Sequence, residues 1–261
     1  MSTFYARKGL LGVLTPQANT TVEPETALLL PDGYGMIAAR LTSGCADMNA
    51  RLIDYFDGMD ATAAQFANAP VNAIGFACTG ASYLAGVARE AAMVERIEAT
   101  RGVPLITAGR AIGDALRCLS ARRIAVVSPY GTVLTEACVD YWTQHGFAVT
   151  EVAQVQQNEA AFHPIYAHSG DVALAGVRRL DAVLDTDAVV ILGTGLPSLT
   201  ALAAAPYLGS SRIPVLSSGF CLAWRMVLAA AVVAPDAATI HQWLSGVHWK
   251  DRLARNIGAT S

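Results

Sequence analysis

Asn72-Ala73-Ile74-Gly75-Phe76-Ala77-Cys78-Thr79-Gly80 and Asp187-Ala188-Val189-Val190-Ile191-Leu192-Gly193-Thr194-Gly195 are the two stretches whose reading decides the fold. Each is a short apolar run, partly β-branched, that ends in Thr-Gly. Such runs suit parallel strands buried on both faces, delivering their carboxyl ends to polar loops. The sequence around them repeats in the same order. Gly12-Val13-Leu14-Thr15-Pro16-Gln17 resembles Ala125-Val126-Val127-Ser128-Pro129-Tyr130, and Val103-Pro104-Leu105-Ile106-Thr107-Ala108-Gly109 resembles Ile213-Pro214-Val215-Leu216-Ser217-Ser218-Gly219, all at offsets between 110 and 115 residues. Ordered self-similarity at a near-constant offset marks two copies of one structural unit.

Helical stretches lie between the matched runs, at 86–100, 111–119, 132–145 and 220–233. Alternating strands and helices imply parallel sheets with right-handed crossovers. The expected fold is α/β: two similar lobes, each a parallel sheet flanked by helices, related by a pseudo-twofold, with the active site between them at the strand ends. The lobes are expected at 1–120 and 121–220, dividing near 120–123, with the tail 221–261 packed back on the first. A chain of 261 residues is long enough for this, and 53% hydrophobic against 15% charged residues excludes disorder.

A net charge of −3 provides no basic field for nucleic acid. Arg122-Arg123 and Arg178-Arg179 read as solvated ends of helices or strands, while small anions remain possible ligands for nests of backbone N–H groups. Five cysteines without a CxxC fit free thiols in a reducing cytoplasm. The opening MSTFYARKGLLGVLTP has no signal-peptide pattern. The uncharged stretch 188–209 is nearly long enough to span a bilayer, but Gly193, Gly195, Pro197 and Pro206 make it a strand, a turn and a helix start. Neither a membrane nor a nucleic acid is an expected partner.

Cys78 ends its strand and backs onto the start of a helix, whose N–H groups lower a thiol's pKa. The same amides and the Thr79 hydroxyl, with Gly80 beside them, could hold a carboxylate or an enediolate oxygen. In the second half Gly193 takes the position of a twin thiol, while Thr194 and Gly195 repeat Thr79 and Gly80. The anion cradle is written twice and the sulfur once. Cys45, Cys118, Cys138 and Cys221 read as structural. Gly193-Thr194-Gly195 does not open a dinucleotide fingerprint, because Ser198 replaces the third glycine and no acidic residue ends the next strand. Walker and GxSxG loops are absent. His163 and His168 are badly spaced for a helical metal pair and interrupted by Pro164, and His241 and His248 lack carboxylates beside them. No metal and no cofactor are expected.

Over residues 9–230 the pattern resembles the maleate isomerase and arylmalonate decarboxylase branch of the aspartate/glutamate racemase superfamily. Pro16-Gln17-Ala18-Asn19-Thr20-Thr21-Val22-Glu23-Pro24-Glu25 is similar to the maleate isomerase opening, and Cys78-Thr79 to that family's first cysteine loop. Leu196-Pro197-Ser198-Leu199 is similar to the segment after the second cysteine, which therefore falls on Gly193. The resemblance implies a cofactor-independent enzyme acting on a small dicarboxylate. Asn19, with Pro16 and Gln17 beside it, would bind one carboxylate. Tyr130 would donate to the other or to a developing oxyanion, and Asn158 matches a further substrate-binding asparagine. Read from the residues alone, Asn19 could equally cap a helix and Tyr130 could be lobe packing. A homodimer or higher oligomer is possible, and the apolar segment 227–234 fits either a dimer contact or a core helix.

A racemase needs an acid/base on each face of its substrate, so Gly193 disfavours two-thiol racemisation. Two reactions need one sulfur. The Cys78 thiolate could add to a cis-enedioate such as maleate, allow rotation about the central bond, and leave the trans isomer. Alternatively a malonate-type diacid could lose CO₂ and take its proton from Cys78. Arylmalonate decarboxylases keep the other cysteine and carry glycine at the Cys78 position, so this sequence would be their mirror arrangement. Retention of Asn19, Tyr130 and Cys78 favours isomerisation. The third reading is a non-catalytic protein whose two lobes close on a small acid.

Overall fold

The structure is a computed structural model and describes residues 3–155, 164–180 and 185–258. The first half runs β1 (Gly9–Pro16), α1 (Val22–Leu29), β2 (Tyr34–Leu41), α2 (Met48–Asp57), α3 (Met59–Ala63), β3 (Val71–Phe76), α4 (Thr79–Ala85), α5 (Val87–Arg101), β4 (Leu105–Thr107) and α6 (Ala108–Cys118). The second half continues with β5 (Arg123–Ser128), α7 (Thr132–Gln144), β6 (Ala148–Gln154), α8 (Gly170–Arg179), β7 (Ala188–Ile191), α9 (Leu199–Ala204), β8 (Tyr207–Leu208), β9 (Ile213–Ser217) and α10 (Ser218–Ala230). Two short helices follow, α11 (Ala237–Ser245) and α12 (Lys250–Ile257).

The strands form two sheets, ordered β2-β1-β3-β4 and β6-β5-β7-β9-β8. All pairings are parallel except that of β8 with β9. Strand for strand the first four positions of the two sheets correspond, so the order of the sequence repeat is also an order in space. Two parallel sheets flanked by helices and related in this way are the two-lobed α/β architecture expected. The outer pair, β2 and β6, carries no visible sequence repeat. Most positions of both strands are only partly buried or exposed, so burial does not dictate residue type there. The central runs of β5 and β7 are fully buried, which is why they read so clearly.

Helix α10 leaves β9 of the second sheet and packs over β3 and β1 of the first, and against α6. Its sides bury Phe220, Cys221, Leu222, Ala223, Trp224, Met226, Val227 and Leu228, so it reads as apolar nearly all round rather than along one stripe. Arg225 joins it to Asp114 of α6 at 2.8 Å. The approach to β3 is close: a Cβ on Gly75 would run into the Met226 sulfur and lie 3.3 Å from Leu222 Cδ1. Among the described residues no helix is long and apolar enough to cross a membrane.

Gly75→Ala is expected to lower the unfolding free energy by about 1–3 kcal/mol, the usual cost of overpacking. In a Met226→Ala background the same substitution should cost less, so that the two losses sum to more than the double mutant loses in urea titrations. Additive losses would mean that α10 does not press on β3 at this point.

Candidate active site

The carboxyl ends of β1, β3, β5 and β7 converge on a cavity of about 470 Å³, lined from the first half by Pro16, Asn19, Cys78, Thr79 and Gly80. Pro129, Tyr130, Gly193, Thr194 and Gly195 line it from the second half. This is the convergence the repeat predicts.

After β1 the chain turns through Pro16 to Asn19 before α1 begins. The Asn19 carbonyl Oδ1 accepts from the backbone N–H groups of Thr21 at 2.8 Å and Val22 at 2.9 Å, tying down donors at the helix start. Asn19 is 2% exposed, and its Nδ2 has no hydrogen-bond partner among the described residues. The capping and binding readings are therefore compatible. The carbonyl is used by the helix, and a buried amide group on the cavity wall keeps its donors unspent. Gln17 is placed differently. It is exposed, its Oε1 accepts from Ser43 N at 2.9 Å, and it is not among the cavity-lining residues. β1 ends at Pro16, and Gln17 lies in the turn that follows, facing outward. Asn158 lies outside the described residues.

Cys78 precedes the first residue of α4 and is 5% exposed. Burial pushes its thiol up to about 12, with the Ala81 N–H pulling the other way. This corrects the expectation of a helix-activated thiolate: desolvation of a charged sulfur outweighs one backbone donor, and the resting group is a thiol. Of the other four cysteines, Cys138 and Cys221 are buried, and Cys45 and Cys118 are half-buried.

Tyr130 hydroxyl and Thr79 Oγ1 lie 2.7 Å apart and join the two halves across the cavity. Burial raises the Tyr130 hydroxyl well above its ordinary range, so it stays protonated and able to donate. Thr194 is not the free anion ligand expected from its likeness to Thr79. Its Oγ1 donates to the Ala77 carbonyl at 2.6 Å, the residue before Cys78. Thr21 Oγ1 likewise donates to the Gly195 carbonyl at 2.9 Å. Glu25 of α1 reaches the start of α9, accepting from Ser198 N at 2.5 Å, Leu199 N at 3.0 Å and Ser198 Oγ at 2.9 Å. The Asn19–Glu25 segment and the Gly193–Leu199 loop are thus stitched together around the cavity.

Gly193 has φ +83°, a conformation that side-chain-bearing residues rarely adopt. A Cβ there would stand 2.9 Å from Ile165 Cδ1, 3.0 Å from Pro129 Cγ and 3.3 Å from the Tyr130 hydroxyl. The twin thiol is missing, and the local backbone does not welcome one. A Cβ on Gly195 would collide with the Tyr166 ring.

Sequence reasoning missed much of the wall. Met48, Leu52 and Tyr55 come from α2, Val133 and Leu134 from the start of α7, and Ile165 and Tyr166 from the turn Pro164–Ala167. These residues make the rest of the lining largely apolar. None belongs to a repeated run, and α2 reads as an ordinary amphipathic helix. Burial raises the Tyr166 hydroxyl, and the neighbouring Cys78 adds to the effect. Among the described residues no group of three His, Cys, Asp or Glu side chains is gathered to hold a metal.

Two parallel α/β lobes with strand-end loops closing on one buried thiol define a protein of the aspartate/glutamate racemase type. The arylmalonate decarboxylase family profile matches residues 11–240, and the chain belongs to that family. A maleate isomerase of Pseudomonas putida is 28% identical over 221 residues, covering 76% of this chain and 88% of that protein. One from Nocardia farcinica is 28% identical over 251 residues, covering 88% and 94%. The crystal structure of a Pseudomonas putida maleate isomerase superposes with a TM-score of 0.74 at 26% identity, over 86% of this chain and 93% of that one. A crystal structure of arylmalonate decarboxylase, 22% identical, shares the fold with a TM-score of 0.66 over 85% and 92%.

The state of the sulfur is directly measurable. The ultraviolet thiolate absorbance of the wild type minus that of Cys78→Ala should show no ionisation of Cys78 below about pH 10, since a group near 12 is overwhelmingly protonated there. A difference titrating near neutrality would contradict the resting thiol.

Proposed function

We propose that the protein isomerises a small cis-enedioate of the maleate type to its trans form, without a cofactor, through transient addition of Cys78. The observation that carries this reading is the cavity wall itself: one thiol, Cys78, in company with the unspent Asn19 amide and the Tyr130–Thr79 hydroxyl pair. The maleate isomerase relatives support it. In the proposed step the sulfur bonds to one alkene carbon as the double bond opens toward the far carboxylate. The thiol proton passes to the oxygen on which charge develops. A thiol near 12 gives its proton only to a strong base, and an enediolate oxygen is one. Asn19 Nδ2 holds a carboxylate, and Tyr130 donates to the developing oxyanion. Rotation about the new single bond, expulsion of the sulfur and return of the proton complete the cycle. The proton need never reside on carbon. Pro16, Thr79, Gly80, Gly193, Thr194 and Gly195 shape the anion-holding ends, chiefly through backbone.

Two observations favour a second reading, decarboxylation of a substituted malonate. The apolar wall of Leu52, Val133, Leu134 and Ile165 would suit a bulky side group, and a resting thiol is ready to act as proton donor. The units closing on either substrate are taken as 1–120 with 221–261, and 121–220; the packing of α10 on β1 and β3 supports that division. Free cysteines without a disulfide among the described residues fit a reducing cytoplasm. Within 227–234, Val232 is 93% exposed and available to a second copy, whereas Val227 and Leu228 are buried in the core.

Incubation with maleate and, separately, with phenylmalonate in D₂O tests the assignment. Fumarate should form without deuterium on carbon, and Cys78→Ala should slow it by at least about a thousandfold. CO₂ release from the malonate with deuterium at the α-carbon, and no fumarate from maleate, would replace isomerisation by decarboxylation. Binding of either acid without turnover would leave a binding protein.

A further inference from the structure

A second cavity, about 200 Å³, lies between α5, α6 and the residue that closes α7, and shares no lining residue with the first. Its walls include Glu90, Arg110, Arg117 and His145, with Val87 and Ala91 at the apolar side. None of these residues has a part in the chemistry above. We propose that this cavity is a second small-molecule site, taking a short carboxylic acid that carries a hydrogen-bond donor on its α-carbon.

Two buried polar atoms in this wall are unsatisfied. Glu90 is 1% exposed; its Oε2 accepts from the Tyr141 hydroxyl at 2.6 Å, while Oε1 has no partner among the described residues. His145 Nε2 is buried and equally unpartnered. The other ring nitrogen, Nδ1, lies 3.4 Å from Arg117 Nη2. A guanidinium can only donate, so Nδ1 accepts and Nε2 carries the proton. Burial lowers the His145 pKa, in keeping with a neutral ring. The lining residues therefore carry one unpaired donor, His145 Nε2–H, and one unpaired acceptor, Glu90 Oε1. A buried polar group without a partner is costly, and a ligand supplying both partners would recover that cost.

Charge selects the ligand further. Asp114 is engaged by Arg225 at 2.8 Å and by Arg117 at 3.2 Å. Arg110 has no carboxylate within ion-pair reach among the described residues. Three guanidiniums against the carboxylates of Asp114 and Glu90 leave the locality one positive charge in excess. A carboxylate would settle on Arg110 and His145 Nε2, its α-hydroxyl or α-ammonium would give to Glu90 Oε1, and a short side chain would rest on Val87 and Ala91. Donor-free anions such as chloride answer the positive charge but bring nothing to give to Glu90.

Calorimetric titration of the whole protein with 2-hydroxyisovalerate, valine and isovalerate tests this, because the three differ only at the α-carbon. The hydroxy acid, the amino acid or both should bind saturably and about tenfold or more tighter than isovalerate, the value of one hydrogen bond to a charged group; which of the two wins identifies the donor. Arg110→Met, at an exposed position that should fold normally, is expected to weaken binding tenfold or more. Glu90→Gln should remove the preference over isovalerate, and Asn19→Ala should leave the titration unchanged. Equal binding of all three acids, no saturable binding, or binding that follows Asn19 rather than Arg110 would overturn the proposal. Failure here would not touch the reading of the Cys78 cavity, whose test uses other ligands and other residues.

Discussion

The turn from β3 into α4 must place a sulfur at a strand end, out of water, with polar loops from both lobes around it. Burial governs what that sulfur is. In water a thiol near a helix start would tend to ionise, but here desolvation dominates, and Cys78 rests protonated. The surrounding hydrogen bonds make the setting rigid. Thr194 holds the Ala77 carbonyl one residue before the sulfur, and Thr79, one residue after it, is held by Tyr130. A group fixed from both sides can be aimed at a substrate carbon with little further ordering.

The asymmetry of the two lobes follows from the same neighbourhood. Where the repeat would set a second thiol, the backbone at Gly193 takes a positive φ, and Ile165, Pro129 and Tyr130 occupy the space a side chain would need. The second lobe offers Tyr130 and backbone in place of a sulfur. Chemistry that takes a proton from one face of a carbon and returns it to the other has no second acid/base of this kind among the described residues at this position. Addition and elimination at one face, or protonation from one face, need only Cys78.

Much of this architecture is legible in the order of the amino acids. Parallel strands buried on both faces must be apolar along their whole length, so β1, β3 and β4 and their counterparts β5, β7 and β9 stand out as matched runs. Their loops carry Asn19, Cys78, Tyr130 and Gly193 to one cavity. Most residues of β2 and β6 are only partly buried or exposed, so these strands are under no such constraint. Local sequence is also silent on quantities set by distant partners. Thr194 looks like Thr79, yet its hydroxyl is bound to a carbonyl 117 residues away in the chain. The protonation of Cys78 is decided by how much of the protein covers it, which a helix-start argument does not count. Tyr166 and Leu52 reach the cavity from segments outside the repeat, so nothing in their neighbours' pattern sets them apart.

Isomerisation by this site requires a carbon–sulfur bond to Cys78 that forms and breaks within each turnover. Acid quenching of the protein during steady conversion of maleate, followed by mass analysis of the peptide that carries residue 78, reads that bond directly. A fraction of the peptide heavier by one maleate is the predicted result. Fumarate accumulating while the Cys78 peptide keeps its unmodified mass at every quench time would contradict it.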